Sequence, residues 1–244
     1  SHYFGQEFAN AFDIKFQNIN GKLEPVYQTS WGVSTRLIGA VIMVHGDDEG
    51  LVLPPYLAPT QVMLIPIQSK NELVKNTTHK LYEQLKANGY RVDLDDSNKS
   101  PGWKFSEYEM KGVPVRIEIG PRDLDNNTVT IVTRHNRKKE VIKVDEVITK
   151  IPEILQTMHN EMYEKALKHV EDNTRIAKTF TEFKQHLELG GYVKMSISGE
   201  EAEEIIKEET GATARAIVES ELVTEICPIT NKKATQTILF ARAY

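Results

Sequence analysis

Cysteine is almost absent from this 244-residue chain. Cys227 stands alone, which excludes an internal disulfide and any multi-cysteine metal site. Long apolar runs are missing too: none reaches the roughly 18–20 residues needed to cross a bilayer. The opening SHYFGQEF has neither the basic nor the apolar segment of a secretory signal. Positive charge is not in excess either. The formal net charge of −5 argues against a generally basic nucleic-acid binder, although charge can still be segregated locally. Internal repeats and low-complexity tracts are lacking. These features fit a reducing, cytoplasmic setting with no membrane partner. What is present is ordinary for a globular protein, with 40% hydrophobic and 27% charged residues. The length allows one large domain or two to three small ones. Ser1-His2-Tyr3 leads straight into structured-looking sequence without an initiator methionine, so a fragment is expected.

Three zones follow one another. In residues 1–58, AFDIKFQ and EPVYQTSW read as strands around an Asn20-Gly21 hairpin turn. The segment from Ser34 to Val44 is apolar on every side, which predicts a buried helix with Ser34 as its N-cap and a Gly46-Asp47-Asp48 turn at its end. GLVLPP then reads as a short strand stopped by prolines. In the second zone VMLIPI is a continuous apolar run, as in a strand buried on both faces. Residues 71–88 carry Leu73, Thr77, Leu81 and Leu85 at helical spacing, with Gly89 beyond the end. YRVDLD reads as a strand and SPGWKFSEYEMKG as a turn into a short helix that Gly112 ends. VPVRIEIG and TVTIVTRH read as strands separated by a turn around Asp125-Asn126-Asn127. Alternating strand and helix predict an α/β sandwich on a mixed sheet. The third zone opens with a helix over about 144–173, kinked at Pro152, and closes in a small α+β unit.

Arg36 poses the first chemical question. A cation at a helix N-terminus sits at the unfavourable pole of the macrodipole, so beside apolar residues it needs an anionic or π partner. Either a phosphate or aromatic-base ligand meets it, or it reaches round to a carboxylate such as Asp47. Trp31-Gly32 offers a flat wall and bare backbone suited to a small ring, and equally suits a core tryptophan beside a turn. His2 is a lone histidine, open to a structural or a functional role. Residues 99–143 hold ten basic against six acidic side chains, a local +4, with Trp103, Phe105 and Tyr108 interleaved. Such a patch suits single-stranded nucleic acid, whose bases stack and present their edges. It also suits an ordinary solvated helix face. Cys227-Pro-Ile-Thr230 lacks the second cysteine of a zinc ribbon, which leaves Cys227 as a small buried hydrophobe.

In order along the chain, these segments resemble one family. TSWGVSTRLIGAVIMVHGDDEGLVLPPYLAPTQVMLIPI resembles the third signature motif of class II aminoacyl-tRNA synthetases and its junction with the anticodon-binding domain. The Trp-Gly, Arg, HGDD and GLVLPP elements are similar to prolyl-tRNA synthetases of the type shared by archaea, eukaryotes and some bacteria. SHYFGQEFANAFDI resembles the stretch after that family's second signature region, and PGWKFSEYEMKGVPVRIEIGPRD its anticodon-reading segment. The terminal FARAY resembles the family's C-terminus.

The resemblance implies a fold and a set of roles. The expected architecture is the end of a class II antiparallel-sheet core over 1–58, an α/β anticodon-binding domain over 59–165, and a small α+β zinc-ribbon-like domain over 166–244. The implied activity is ATP-dependent formation of prolyl-adenylate from L-proline, with Mg²⁺, and transfer to tRNA(Pro); the fragment alone is expected to be inactive. Arg36 would hold ATP as the catalytic arginine. His2, Ser30, Trp31 and Gly32 would line the proline pocket, and Glu109, Arg116 and Arg122 would read the anticodon. Tyr244 would fold its carboxylate back toward the catalytic domain. Ser198, Ala202, Cys227 and Thr230 stand near the family's zinc-ligand positions, so no zinc is expected. A homodimer of the full-length enzyme is expected, without DNA as a partner. The alternatives are a non-catalytic tRNA- or RNA-binding accessory protein built from synthetase parts, or another class II synthetase such as the threonyl enzyme.

Overall fold

The computed structural model describes residues 2–218 and 222–242. The role expected of Tyr244 therefore lies outside the described residues. The chain begins with two small antiparallel pairs. Strand β1 (His2–Gly5) leads through helix α1 (Glu7–Ala11) to the hairpin of β2 (Lys15–Gln17) and β3 (Leu23–Pro25). Strand β4 (Gln28–Ser30) then returns to pair with β1. The hairpin turns at Gly21, whose φ of 75° only glycine adopts without strain. Helix α2 (Arg36–His45) follows.

The second unit is a five-stranded sheet in the order β6-β5-β7-β8-β9. Strand β5 (Val62–Pro66) runs parallel to both β6 (Val92–Leu94) and β7 (Val115–Ile119). Strands β8 (Thr128–Thr133) and β9 (Lys139–Lys143) add an antiparallel edge, so the sheet is mixed. Helix α3 (Glu72–Ala87) connects β5 to β6, α4 (Pro101–Met110) connects β6 to β7, and the short α5 (Pro121–Leu124) precedes β8. Alternation along the strands sorts the two faces. Val62 and Leu64 of β5 and Val115, Ile117 and Ile119 of β7 join a core with Val74, Leu81 and Leu85 of α3. Val147, Ile151 and Leu155 of α6 (Val147–Asp172) complete it. Met63 and Ile65 face the other way, onto Phe105 and Tyr108 of α4. Both helix starts are capped as their sequences demand. Asn71 Oδ1 accepts from the N–H groups of Leu73 (2.9 Å) and Val74 (3.2 Å), and Ser100 Oγ from that of Trp103 (3.3 Å).

The third unit is a four-stranded sheet in the order β10-β11-β13-β12. Its elements are β10 (Thr174–Ile176), α7 (Phe180–Glu188), β11 (Tyr192–Ile197), α8 (Glu200–Thr210), β12 (Ala212–Val218) and β13 (Gln236–Arg242). Phe183, Met195, Ile206, Cys227, Ile238 and Phe240 share its core. Helix α6 runs unbroken through Pro152 and across the 165/166 boundary into this unit.

The α/β and α+β architecture is as expected, and several local expectations are corrected. Helix α2 buries none of its residues: Ile38 is 65% and Met43 70% exposed. An all-round apolar helix is buried only where other elements cover it, and α2, packed against α6, keeps only Gly39, Ala40, Val41 and His45 partly covered. Its N-cap is Thr35; the hydroxyl of Ser34 instead faces the Arg36 N–H at 3.4 Å. GLVLPP forms no strand; Leu51 and Leu53 donate backbone bonds to Met110 and Gly112 instead. The buried stripe of α3 is Val74, Thr78, Leu81 and Leu85, with Leu73 exposed. Strand β9 had no clear signal, because KEVIK is an edge strand whose charges mask the alternation.

Candidate functional site

The alternation that builds the β7 core also builds a polar crevice. In VRIEI, Val115, Ile117 and Ile119 point into the apolar core, so Arg116 and Glu118 point to the α4 face. Phe105 and Glu109 lie four residues apart on α4, hence on one helix face. All four side chains meet. Arg116 Nε donates to Glu118 Oε1 at 2.9 Å and Nη1 to Glu109 Oε1 at 2.9 Å, while the guanidinium lies 4.3 Å from the centre of the Phe105 ring. Arg116 and Glu118 are buried and Glu109 is at the rim. The crevice, which Tyr108, Val132 and Arg134 also line, leaves about 10 Å³ of free space, enough for a single water. A ligand therefore approaches its mouth rather than entering it. Arg116 uses two of its five N–H donors on these carboxylates, and Glu109 retains an unused carboxylate oxygen, so donors and acceptors stand side by side.

Several other charges of the 99–143 patch are buried pairs rather than a free basic surface. Lys104 is 2% exposed and donates to the Asp95 backbone oxygen at 2.7 Å, with the Asp95 carboxylate at 3.3 Å. Burial opposes ionisation of Asp95, but hydrogen bonds from Ser97, Tyr108 and Lys104 outweigh it and hold the carboxyl below its ordinary value. Burial, with Asp95 beside it, pushes the Tyr108 hydroxyl above its own usual range. Arg134 forms a two-pronged pair with Asp47, Nη1 to Oδ2 at 2.7 Å and Nη2 to Oδ1 at 2.5 Å. These hydrogen bonds hold the Asp47 carboxyl well below the usual carboxylate range. Asp47 is thus not the partner of Arg36: it lies beyond the opposite end of α2, where Arg134 and Arg137 engage it. Arg122 lies on α5, past the other end of β7 from Arg116, so the structure brings Glu109 and Arg116 together but not Arg122.

The remaining candidates lie on the first unit. His2 and Ser30 face each other across β1 and β4, Trp31 and Gly32 follow directly, and Arg36 opens α2. All five are exposed, Trp31 by 82%, so it is not a core tryptophan. They form a strip open to water. At the zinc-like position, the Ser198 and Thr230 hydroxyls bond each other at 2.8 Å, Ala202 is buried, and Cys227 is buried beside them. One thiol, two mutually bonded hydroxyls and a methyl group do not fit a tetrahedral zinc site. Among the described residues, no cluster of three or more His, Cys, Asp or Glu side chains could hold a metal ion. Nor is any described helix long and apolar enough to cross a membrane.

Sequence reasoning missed the roles of Glu118 and Arg134 and set Asp47 against Arg36 rather than Arg134. Glu118 was legible, being two residues from Arg116 on an alternating strand. The Asp47–Arg134 pair spans 87 residues and had no local signal.

The five-stranded mixed sheet is that of an anticodon-binding domain. Residues 61–154 match the model of the anticodon binding domain, and residues 180–244 match that of the prolyl-tRNA synthetase C-terminal region. The whole chain is 58% identical to the proline–tRNA ligase of Aster yellows witches'-broom phytoplasma, covering 51% of it. It is 48% identical to that of Oceanobacillus iheyensis, again covering 51%. The crystal structure of prolyl-tRNA synthetase from Cryptosporidium parvum complexed with L-proline and AMP superposes on all of the chain with a TM-score of 0.91, at 37% identity and over 54% of that protein. The chain belongs to the prolyl-tRNA synthetase family and corresponds to its C-terminal portion. It spans about half the length of these relatives.

Proposed function

We propose that these residues serve a proline–tRNA ligase, which activates L-proline with ATP and transfers it to tRNA(Pro). The observation that carries this reading is the 58% identity to a proline–tRNA ligase along the entire chain. The second and third units would recognise the tRNA, and the first would contribute to the prolyl-adenylate pocket. At the crevice, the free carboxylate oxygen of Glu109 accepts from the N1 and N2 donors of a guanine. The spare guanidinium donors of Arg116 reach guanine O6 and N7. Arg122, on α5, reaches the same RNA farther along the sheet edge. On the exposed strip, Arg36 stacks on adenine and offsets phosphate charge, stabilising in-line attack of the proline carboxylate on the α-phosphorus. Trp31, Gly32, Ser30 and His2 wall the proline ring. Mg²⁺ belongs to the ATP substrate. Zinc plays no part, and the third unit holds by its apolar core. The enzyme is a cytoplasmic homodimer.

The test uses the 244-residue chain itself. Proline anticodons share two guanines, so a hairpin carrying the tRNA(Pro) anticodon should bind more tightly than one in which those two are adenines. Binding should weaken with salt as phosphate-bound counterions are displaced. Equal affinity for the two hairpins would refute the assignment of the crevice. Proline-dependent ATP–pyrophosphate exchange by this chain alone should be absent, because the strip around Arg36 is open to water that a phosphoryl-transfer site must exclude.

A further inference from the structure

The contacts of Arg134 join the crevice to the first unit. Its side chain is 2% exposed, and all three nitrogens are engaged. Nε donates to the backbone oxygen of Glu109 at 2.8 Å, and Nη1 and Nη2 grip the Asp47 carboxylate. Asp47 closes the tight turn after α2, bonding reciprocally with Gly50 at 3.0 Å in each direction. That turn is seated on the end of α4 so closely that a Cβ on Gly50 would lie 2.6 Å from Met110 Cα. Leu51 then donates to Met110 O at 3.0 Å, and Val52 packs on Met158 and Met162 of α6. One guanidinium thus ties the backbone of the rim carboxylate to the turn that ends α2, and Arg36 stands at that helix's other end.

Resting on the anticodon reading above, we infer that Arg134 is a positioning residue. It sets Glu109 for base recognition and, through Asp47, transmits occupancy of the crevice to α2. The planar fork matters here, because a guanidinium spreads its donors over three nitrogens in one rigid plane and so spans the backbone oxygen and both carboxylate oxygens, whereas an ammonium offers its three donors from a single point. A lysine in its place keeps the charge and loses that connection. Movement of Glu109 on meeting a base shifts the oxygen that Arg134 holds. The fork passes the shift to Asp47, and the ten-residue helix carries it to Arg36.

The experiment compares the unaltered chain with Arg134→Lys and Asp47→Asn, using the guanine-containing anticodon hairpin and its adenine-substituted counterpart. Two quantities are read: the ratio of the two affinities, and the amide exchange of residues 36–45 with and without hairpin. In the unaltered chain, the guanine hairpin should slow exchange in α2. Either substitution should lower the affinity ratio about tenfold, the equivalent of ~1.4 kcal/mol, and abolish the α2 response. Partial unfolding would lower both affinities together and leave their ratio unchanged, so the ratio separates positioning from mere stability. Selective binding of the guanine hairpin without an α2 response, or variants that retain both the ratio and the response, would overturn the inference alone. Failure of the unaltered chain to prefer the guanine hairpin would instead overturn the anticodon reading, and the inference with it.

Discussion

Glu109 and Glu118 both bond Arg116 at 2.9 Å, yet the structure assigns them different work. The Glu118 side chain is 11% exposed and Glu109 31%. Replacing either with glutamine keeps the shape and an oxygen acceptor and removes the charge. At the buried position, the ion pair becomes an ion–dipole bond and the buried guanidinium keeps Glu109 alone as its counter-charge, so Glu118→Gln should cost about 1–3 kcal/mol of stability. At the rim, ion pairs contribute about 0.2–1 kcal/mol, so Glu109→Gln should cost less than about 1. Hairpin binding should reverse this order. On the proposed reading Glu109 meets the base, and one base contact carries about 1–3 kcal/mol of discrimination, or roughly 5- to 150-fold. Glu118 lies behind Arg116, and its loss should weaken binding less than about threefold. Urea denaturation and fluorescence anisotropy on the same protein preparations measure the two quantities. The reasoning fails if Glu118→Gln weakens binding as much as Glu109→Gln while leaving stability unchanged.

Other outcomes follow from the same packing. Ile117→Ala opens the core between β7, α3 and α6 and should destabilise the second unit by about 2–5 kcal/mol in chemical denaturation. The Asp47 carboxyl titrates lower in the folded chain than in the unfolded one, where its value is about 3.9. Its contribution to stability is therefore full above that value and lost as pH falls through the folded one. The difference in melting temperature between the unaltered chain and Asp47→Asn should accordingly be present at neutral pH and shrink in strong acid. Treatment with a zinc chelator should leave the melting temperature of the third unit unchanged, since its core closes around Cys227 without a metal-ligand set. A fall on chelation would overturn the zinc-free assignment.

Much of the fold was legible because it rests on local rules. The apolar run of β5 and the glycines beyond α3 and α4 each act within a few residues of themselves. Part of the candidate site was legible for the same reason. Alternation along VRIEI sends Arg116 and Glu118 to one face, and helical spacing sends Phe105 and Glu109 to another. That the two faces meet is a matter of how α4 crosses the sheet, and composition gave only a loose basic patch. Strand β9 was hidden because an edge strand tolerates charge on both faces.

The amino-acid order determined most element types and the mixed-sheet class, because periodicity is short-range, while the candidate residues of the strip and crevice came from the family resemblance. Tertiary structure decided which charges are free and which are spent. Lys104 and Arg134 look like surface cations in sequence and are buried in pairs, while the apolar α2 looks like a core helix and lies exposed. Burial depends on what covers a residue. For Asp47 and Arg134 that partner lies 87 residues away, brought into place only when the turn after α2 settles onto α4.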